Sequence, residues 1–301
     1  MGPGGAWPDT ADSAIATLRE WLAEARSAVF FGGAGVSTGS GIPDFRGEDG
    51  QYRAQWEYPL EEILGIELFE EDPSIYYRYF RATNMSGAQP NVVHRRLAEL
   101  EASGNLAAVV TQNIDGLHQR AGSRVVHELH GSLYEFYCAG CGEPHNANAV
   151  TAAVMAGGGG RSASGSPVVG TDDGGVGSVR EVGAAVVPPD GEGVISVREV
   201  SAAVVDGLGV PRCGCGGVVR PTVVFYGEGL DGAVVDAAVA AIRAADVLVI
   251  GGTSMVVYPA AGLPNYYRGR RLVMINREPT PFDDRADLVI REDLGVVFSQ
   301  V

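Results

Sequence analysis

Clustered glycines follow a short apolar run near the amino terminus of the chain. The run at 28–31 reads Ala-Val-Phe-Phe, and residues 32–47 read Gly-Gly-Ala-Gly-Val-Ser-Thr-Gly-Ser-Gly-Ile-Pro-Asp-Phe-Arg-Gly. The apolar run predicts a buried strand, and the glycines predict a turn that enters a helix. Glycine lets backbone N–H groups approach a pyrophosphate closely, and a helix N-terminus adds partial positive charge. The segment therefore predicts a nucleotide phosphate site of the NAD-binding kind.

Polar side chains that could act on a bound nucleotide follow a second apolar run. Residues 106–110 predict a strand, and Gln112, Asn113 and Asp115 come directly after it. Amide and carboxyl groups at the end of a strand can hold a carboxamide or a sugar hydroxyl, although Asn and Asp at such a place also cap helices. An imidazole titrates near neutral pH and can act as a general base, but a histidine is more often a packed core residue, so residue type alone does not select one of the five histidines.

The glycine spacing departs from the fingerprint of dehydrogenases. That fingerprint is Gly-x-Gly-x-x-Gly. In this chain the motif begins with Gly33 and Gly35, and its third glycine, Gly39, comes one position late. No acidic residue lies at the usual ribose position about twenty residues further on. Both departures disfavour an enzyme that transfers a hydride.

All four cysteines of the chain form one pattern, Cys138-x-x-Cys141 followed by Cys213-x-Cys215. Thiolates at such spacing close a tetrahedral zinc site, and four protein ligands leave no open position, so the metal would be structural. The second pair is one residue shorter than usual, and the gap between the pairs is long. A degenerate site that folds without metal is therefore the alternative. The cysteine pattern also predicts a cytoplasmic protein without disulfides.

The composition excludes several classes of protein. The net charge of −15 argues against sequence-independent binding of nucleic acid, which needs basic patches. The apolar runs are too short to span a bilayer, and residues 1–5 show no signal peptide, so we expect no membrane partner. None of the 22 basic residues is a lysine, which excludes a Schiff-base lysine and a phosphate-loop lysine.

Alternating strand and helix patterns predict an α/β fold with a doubly wound, parallel, Rossmann-like sheet and an inserted small zinc-binding module. We expect the Rossmann-like domain to comprise residues 1–131 and 221–301, with a helical cofactor-loop subdomain at about 40–90. The zinc-binding module is expected at 132–220. Helices are predicted at 13–26, 91–101 and 234–243, and further strands at 223–225, 247–250 and 272–275.

An insertion at 156–209, rich in glycine, serine and valine, interrupts the zinc-binding module. Within it, Ser178–Val187 recurs as Ser196–Val205 with a period of 18 residues. Two copies are too few for a solenoid. Residues 156–167 are interpreted as a flexible linker, and the repeat either as a hairpin-like flap or as a segment without structure.

These motifs together resemble those of the sirtuins, which are NAD-dependent protein deacylases. The matching segments occur in the order typical of the family, namely 33–37, 41–46, 111–118, 128–131, the cysteine pairs, 224–228, 252–261 and 275–276. The resemblance covers about residues 13–155 and 209–299, so only the insertion lies outside it.

The resemblance implies a role for each motif residue. The expected catalytic residues are His130, the general base, and Asn113. The expected NAD-binding residues are Gly33, Ala34, Gly35, Thr38, Asp44, Phe45, Arg46, Gln112, Asn113, Ile114, Asp115, Gly252, Thr253, Ser254, Asn276 and Leu294. The expected substrate-binding residues are Val224, Phe225, Gly227, Glu228, Val257 and Tyr258. Zn2+ would bind Cys138, Cys141, Cys213 and Cys215.

The resemblance also implies the reaction. The carbonyl oxygen of an acyl-lysine attacks C1′ of the ribose, nicotinamide leaves, and an alkylimidate forms. His130 then activates a ribose hydroxyl that attacks the imidate, and water completes the release of lysine and 2′-O-acyl-ADP-ribose, while Phe45 shields C1′. Sirtuins that remove acidic acyl groups carry a Tyr-x-x-Arg pair, which residues 75–81 lack, so acetyl is the expected group. Acetylated proteins or peptides would bind as an added strand.

Two other functions are compatible with the same residues. A mono-ADP-ribosyltransferase or an NAD glycohydrolase would use Asn113, Asp115 and His130 on another acceptor. A non-catalytic protein that senses NAD would use the acidic insertion as a docking flap, but the intact catalytic set disfavours it. Products formed from NAD and an acetylated peptide would distinguish these functions.

Overall fold

The computed structural model describes residues 10–45, 50–83, 85, 87–157 and 204–301. Its α-helices, α1 to α9 in chain order, are Ala11–Glu24, Leu60–Ile63, Ile66–Glu71, Pro73–Ala82, Val92–Ala102, Leu117–Ala121, Ala147–Ala156, Gly232–Ala244 and Leu294–Phe298. Its strands, β1 to β11, are Ala28–Gly32, Leu106–Thr111, Val126–Glu128, Phe136–Cys138, Pro144–His145, Val204–Val205, Pro211–Arg212, Val219–Pro221, Val247–Gly251, Arg271–Ile275 and Leu288–Ile290. Short 3-10 turns occur at Ala34–Val36, Thr38–Ser40, Gln51–Arg53, Ala260–Tyr266 and Asp283–Arg285.

A six-stranded sheet with the order β11-β10-β9-β1-β2-β3 forms the centre of the fold. All its neighbouring strands are parallel, and every residue of β1 and β9 is buried. Successive side chains of a strand point to opposite faces. Phe30 therefore packs with Leu18 of α1 on one face, and Phe31 packs with Ile242 of α8 on the other. Helices cover both faces, as a parallel sheet requires.

The strand order reverses between β1 and β9, because β1 is followed in sequence by β2 on one side and lies beside β9 on the other. Such a switch point opens a crevice at the carboxyl ends of the strands, where ligands of doubly wound sheets bind. The arrangement confirms the predicted fold class. The predicted strands at 28–31, 106–110, 247–250 and 272–275 are also confirmed.

The strand predicted at 223–225 is wrong, because this segment is an extended loop after β8. Its backbone groups pair with separate partners instead of a neighbouring strand. The Val224 N–H donates to the carbonyl oxygen of His130 (2.9 Å), and the Phe225 N–H donates to the carboxylate of Glu228 (2.8 Å). Side-chain and loop partners thus replace the hydrogen-bonded ladder of a sheet.

The expected helix after the glycine loop is also wrong, because only the two 3-10 turns at 34–36 and 38–40 form there. Closely spaced glycines disfavour helix propagation, and Gly41 reverses the chain with a φ of 81°. The Asn91 side chain then donates to the carbonyl oxygen of Val36 at 2.7 Å. A phosphate bound at this loop would therefore meet short turns and not the N-terminus of an α-helix.

A second, smaller sheet with the order β5-β4-β8 is antiparallel. Val150 and Val154 of α7 pack against Phe136 of β4 and Val219 of β8, and aromatic residues of α3 and α4 join the same cluster. Most of the predicted linker and of the 18-residue repeat lies outside the described residues. In the part of the chain that the structure describes, no helix is both long enough and apolar enough to cross a membrane.

A mutation at Gly131 tests how the loop after β3 is held. Gly131 has a φ of 70°, and a Cβ atom there would lie 2.0 Å from the carbonyl oxygen of Thr222. We expect Gly131→Ala to lower the free energy of unfolding by at least about 3 kcal/mol, because backbone strain and a backbone clash combine. Urea unfolding of the purified variant measures the loss.

Gly104→Ala is the matched control. Gly104 also has a positive φ, 84°, but no heavy atom lies within 4 Å of its added Cβ. We expect a loss of only about 1 kcal/mol, from the left-handed conformation alone. Equal losses in the two variants would contradict the close approach to Thr222.

Candidate active site

The glycine loop contacts the loop that follows β9. The Gly33 N–H donates to the carbonyl oxygen of Gly251 (3.3 Å), and the Gly35 N–H donates to that of Gly252 (2.8 Å). A Cβ atom on Gly35 would lie 2.8 Å from the Cα of Gly252. Only glycine lets the two backbones come this close, so the contact fixes both loops at the mouth of the switch-point crevice.

Gln112 connects three parts of this crevice. Its backbone N–H donates to the carbonyl oxygen of Gly32 (3.0 Å), and its side-chain amide donates to the Thr253 hydroxyl (3.0 Å). Its own carbonyl oxygen pairs with the Nδ1 atom of His130 at 2.9 Å. The ends of β1, β2 and β9 and the predicted base are therefore joined through one residue.

A cavity of about 580 Å3 lies beside the glycine loop. Gly35, Thr38 and Leu294 line it, together with residues at the beginning of α5. Leu294 is 5% exposed, and a Cβ on Gly252 would come within 2.8 Å of its Cδ1 atom. Asn276 follows β10, where its side chain donates to the carbonyl oxygen of Glu278 (2.8 Å). The cavity is thus lined by three predicted NAD-binding residues, namely Gly35, Thr38 and Leu294.

A buried polar network lies deeper in the crevice. The Ser37 hydroxyl donates to the Oδ2 atom of Asp115 at 2.6 Å and accepts a hydrogen bond from the side-chain amide of Asn113 at 3.1 Å. These three side chains are at most 9% exposed. The predicted residues Asn113 and Asp115 are therefore brought together, and the sequence interpretation missed Ser37, which links them. Its position inside the glycine motif was the available signal.

Asp115 has a second task in the local fold. Its Oδ1 atom accepts a hydrogen bond from the Leu117 N–H at the beginning of α6 (3.0 Å). Asn113 is held by its own N–H, which donates to the Thr111 hydroxyl (3.0 Å). The two interpretations of this segment, a capping turn and a ligand site, are compatible, because different atoms of Asp115 serve them.

Two buried histidines pack beside this network. The rings of His94 and His118 are 4.7 Å apart. Burial lowers the pKa of His94 to about 4, against the opposing charge of Asp115, and burial lowers the pKa of His118 to about 3. Both imidazoles are thus neutral at physiological pH and fill the space between α5 and α6.

His130 is half-buried at the edge of the crevice, directly after β3. The hydrogen bond from its Nδ1 atom to the Gln112 carbonyl oxygen places the proton on Nδ1 and leaves Nε2 with a free lone pair. Burial lowers the pKa of His130, although the hydrogen bond to Gln112 opposes the shift. The imidazole is therefore neutral and oriented for proton abstraction at neutral pH.

The end of the glycine segment contributes one aromatic side chain. The ring of Phe45 packs against Tyr52 at a centroid distance of 5.9 Å, within a small cluster that α2 and α4 complete. Asp44 accepts a backbone hydrogen bond from Gln51 (2.8 Å), which closes this loop. The predicted residue Arg46 lies outside the described residues.

The predicted peptide-binding segment, 224–228, presents free backbone groups. Tyr226 pairs with the loop before α3, since its N–H donates to Leu64 (2.8 Å) and its carbonyl oxygen accepts from Ile66 (2.9 Å). Among the described residues, the Val224 carbonyl oxygen and the Gly227 N–H have no hydrogen-bond partner. Phe225 instead is 2% exposed and points into the core.

The other predicted substrate residues lie after β9. Met255 is buried with a φ of 56°, and Val257 and Tyr258 follow it in the same loop. The Tyr258 side chain is 71% exposed. An exposed aromatic ring beside a nucleotide crevice is suited to contact a peptide.

The four cysteines lie together between β4 and the turn after β7. The Cys138 and Cys215 sulfur atoms are 3.5 Å apart, those of Cys141 and Cys213 are 3.8 Å apart, and all four lie within 4.8 Å of one another. Tetrahedral Zn–S bonds of about 2.3 Å place sulfur atoms about 3.8 Å apart. The residues therefore fit a structural zinc ion, which would join the two halves of this module.

Comparison with known proteins identifies the family. The Sir2 family model matches residues 33–259. This chain belongs to the Sir2 family. It is 40% identical to an NAD-dependent protein deacetylase of Cutibacterium acnes over 287 residues, which cover 94% of this chain and 96% of that protein. It is 39% identical to an NAD-dependent protein deacetylase of Clostridium acetobutylicum over 291 residues, with coverage of 95% and 97%.

Solved structures of Sir2 proteins have the same fold. Sir2 with a p53 peptide and NAD+ superposes with a TM-score of 0.70 and 32% identity, covering 95% of each chain. Sir2 bound to an acetylated peptide superposes with a TM-score of 0.71 and 31% identity, covering 95% of this chain and 96% of that one. This member of the Sir2 family thus retains the overall architecture of those complexes.

Removal of the Ser37 hydroxyl tests the buried network. We expect Ser37→Ala to lower the free energy of unfolding by about 1–3 kcal/mol, because the Asp115 carboxylate and the Asn113 amide each lose a buried partner. Ser123→Ala is the control, since the Ser123 hydroxyl is buried without a partner in the described structure. Its removal should not destabilise the protein, because no hydrogen bond to a described residue is lost. Equal effects in urea unfolding would refute the network.

Proposed function

We propose that this chain is an NAD-dependent protein-lysine deacetylase, which cleaves NAD to nicotinamide and transfers the acyl group to ADP-ribose. One observation carries the proposal: the free Nε2 of His130 and the Asn113–Ser37–Asp115 network lie at the switch point of a parallel sheet. The relatives that carry the name NAD-dependent protein deacetylase match over nearly their whole length.

The residues of the crevice divide the work of binding NAD. Ala34 and Thr38 line the pyrophosphate, since the N–H groups of Gly33 and Gly35 already donate to the carbonyl oxygens of Gly251 and Gly252. Gln112 and Asn113 bind the nicotinamide-side ribose, and Asp115 binds the carboxamide with Ile114 beside it. Thr253, Ser254, Asn276 and Leu294 lie toward the adenosine, and Phe45 excludes water from the reacting carbon.

His130 supplies the base. Its neutral imidazole takes a proton from a ribose hydroxyl at Nε2, and the Gln112 carbonyl oxygen stabilises the imidazolium that results, since Nδ1–H donates to it. NAD provides the ADP-ribose that accepts the acyl group. The four cysteines take no part in the chemistry and would hold the zinc-binding module together.

An acetylated peptide binds as an added strand along 224–227. An extended peptide could donate to the unpaired carbonyl oxygen of Val224 and accept from the unpaired N–H of Gly227. Such backbone pairing accepts many peptide sequences. Tyr76, Tyr77 and Tyr79 of α4 are buried. The segment 75–81, which contains them, lacks a Tyr-x-x-Arg pair, and this absence supports a neutral acyl group. We also propose a cytoplasmic location, which fits four reduced cysteines.

Product analysis tests the function directly. Incubated with NAD and an acetyl-lysine peptide, the protein should release nicotinamide, free peptide and O-acetyl-ADP-ribose in equal amounts, as measured by mass spectrometry. His130→Ala should lower kcat/KM by about a hundredfold or more, because the base is lost. Nicotinamide release that does not depend on the peptide would instead indicate an NAD glycohydrolase, and ADP-ribosylated peptide would indicate a transferase.

The pH dependence of the reaction tests the state of His130. The base acts in its neutral form, and its pKa lies below the ordinary value of 6.5. The rate should therefore rise with pH through that lowered pKa and stay level at neutral pH and above. With an uncharged acetyl peptide, we expect log kcat/KM to begin its decline at a pH below 6.5 as the solution is made more acidic. A decline that begins above neutral pH would contradict the assigned environment.

A further inference from the structure

An ion pair supports the proposed peptide-binding loop from behind. The guanidinium of Arg220, in β8, donates to both carboxylate oxygens of Glu228, at 2.8 and 2.7 Å. The same guanidinium donates to the carbonyl oxygen of Val223 at 3.0 Å, and the Glu228 carboxylate accepts from the Phe225 N–H at 2.8 Å. The pair, which we call the Arg220–Glu228 clasp, therefore holds both ends of the loop that begins at Val223.

The clasp sits in an aromatic box. The Arg220 side chain is 7% exposed, and its guanidinium carbon lies 4.6 Å from the ring centroid of Phe225, 5.3 Å from that of Phe69 and 5.7 Å from that of Tyr137. Rings on several sides restrict the plane of the guanidinium, and a bidentate pair needs that plane fixed. The Glu228 side chain is 27% exposed at the outer end.

The Arg220 side chain is more deeply buried than that of Glu228, and the two side chains carry opposite charges. Burial alone raises the pKa of a carboxyl group, but Arg220 and the Phe225 N–H hold the pKa of Glu228 below its ordinary value. The carboxylate is thus charged. Its Oε1 atom accepts from Arg220, and its Oε2 atom accepts from both Arg220 and the Phe225 N–H.

We propose that Arg220 and Glu228 are positioning residues, which set the shape of the peptide-binding loop so that the Val224 carbonyl oxygen and the Gly227 N–H face an incoming peptide. This inference rests on the proposed function, because it concerns the substrate of the same site. It assigns Glu228 a role through Arg220, in place of direct contact with substrate. Replacing either side chain releases the loop and weakens peptide binding, while the NAD crevice is left intact.

The clasp also connects the peptide-binding loop to the zinc-binding module. Arg220 lies in β8, and its neighbour Val219 pairs with Cys138 across β4 and β8. Tyr77 of α4 donates its hydroxyl to the Val219 carbonyl oxygen at 2.5 Å. The strand that carries Arg220 is thus held from both sides, which gives the clasp a rigid base.

Steady-state kinetics of single and double variants test the clasp. The substrate is an acetyl-lysine peptide whose other residues are glycine and alanine, so that no peptide charge can meet Glu228. Glu228→Gln and Arg220→Gln should each raise the peptide KM about tenfold, with kcat and the KM for NAD changed less than about threefold. The double variant should be no worse than either single variant, because both break one interaction.

Arg220→Lys provides a milder variant in case Arg220→Gln does not fold. Lysine keeps the charge but loses the planar fork, so an intermediate rise in peptide KM is expected. The control pair is an exposed ion pair of similar length (3.0 Å), which joins Arg78 of α4 to Glu57 in the segment before α2. Arg78→Gln and Glu57→Gln should leave every constant within about twofold.

Three outcomes would overturn the inference. A higher peptide KM for Glu228→Gln but not for the Arg220 variants would mean that Glu228 contacts the peptide directly. Parallel rises in the KM for NAD would mean a general structural defect, and unchanged constants would mean that the clasp has no role. A wild-type protein without NAD-dependent deacetylation would instead contradict the proposed function itself.

Discussion

The close approach of two backbones at the switch point sets the geometry of everything around it. The Gly35 N–H donates to the Gly252 carbonyl oxygen at 2.8 Å, and neither position tolerates a Cβ atom. Because β1 and β9 are parallel neighbours, their following loops must meet, and only glycine lets them meet this closely. The cavity beside the loop, the position of Thr253 and the reach of Gln112 all depend on this contact.

The chemical groups are positioned by shared hydrogen bonds more than by separate ones. Gln112 uses its side chain toward Thr253 and its carbonyl oxygen toward His130, so the loop after β9 and the proposed base are set by one residue. Asp115 similarly caps α6 with one oxygen and binds Ser37 with the other. Such sharing lets a few buried polar groups be satisfied without water, which an apolar surrounding requires.

The proposed peptide-binding loop depends on a different part of the chain. Its loop, 223–228, could not be predicted correctly from sequence, because Val-Val-Phe is typical of a strand and nothing local reveals that Arg220 and Glu228 take its backbone groups. The helix expected after the glycines failed for a reason that the sequence does contain, because closely spaced glycines disfavour helix propagation. The tertiary structure adds the hydrogen bond from the Asn91 side chain to the carbonyl oxygen of Val36, which holds these turns.

The sequence by itself determined the parallel sheet, the nucleotide loop, the cysteine set and the family, since periodicity, glycine spacing and motif order are local properties of the chain. The resemblance of its motifs to those of the sirtuins also indicated Asn113, Asp115 and His130. Only the tertiary structure decided which atoms are free. The Nε2 of His130 is available because the carbonyl oxygen of Gln112 engages Nδ1, and the Glu228 carboxylate is engaged because Arg220 lies within an aromatic box. Such pairings join residues brought close by chain topology, which no local pattern encodes.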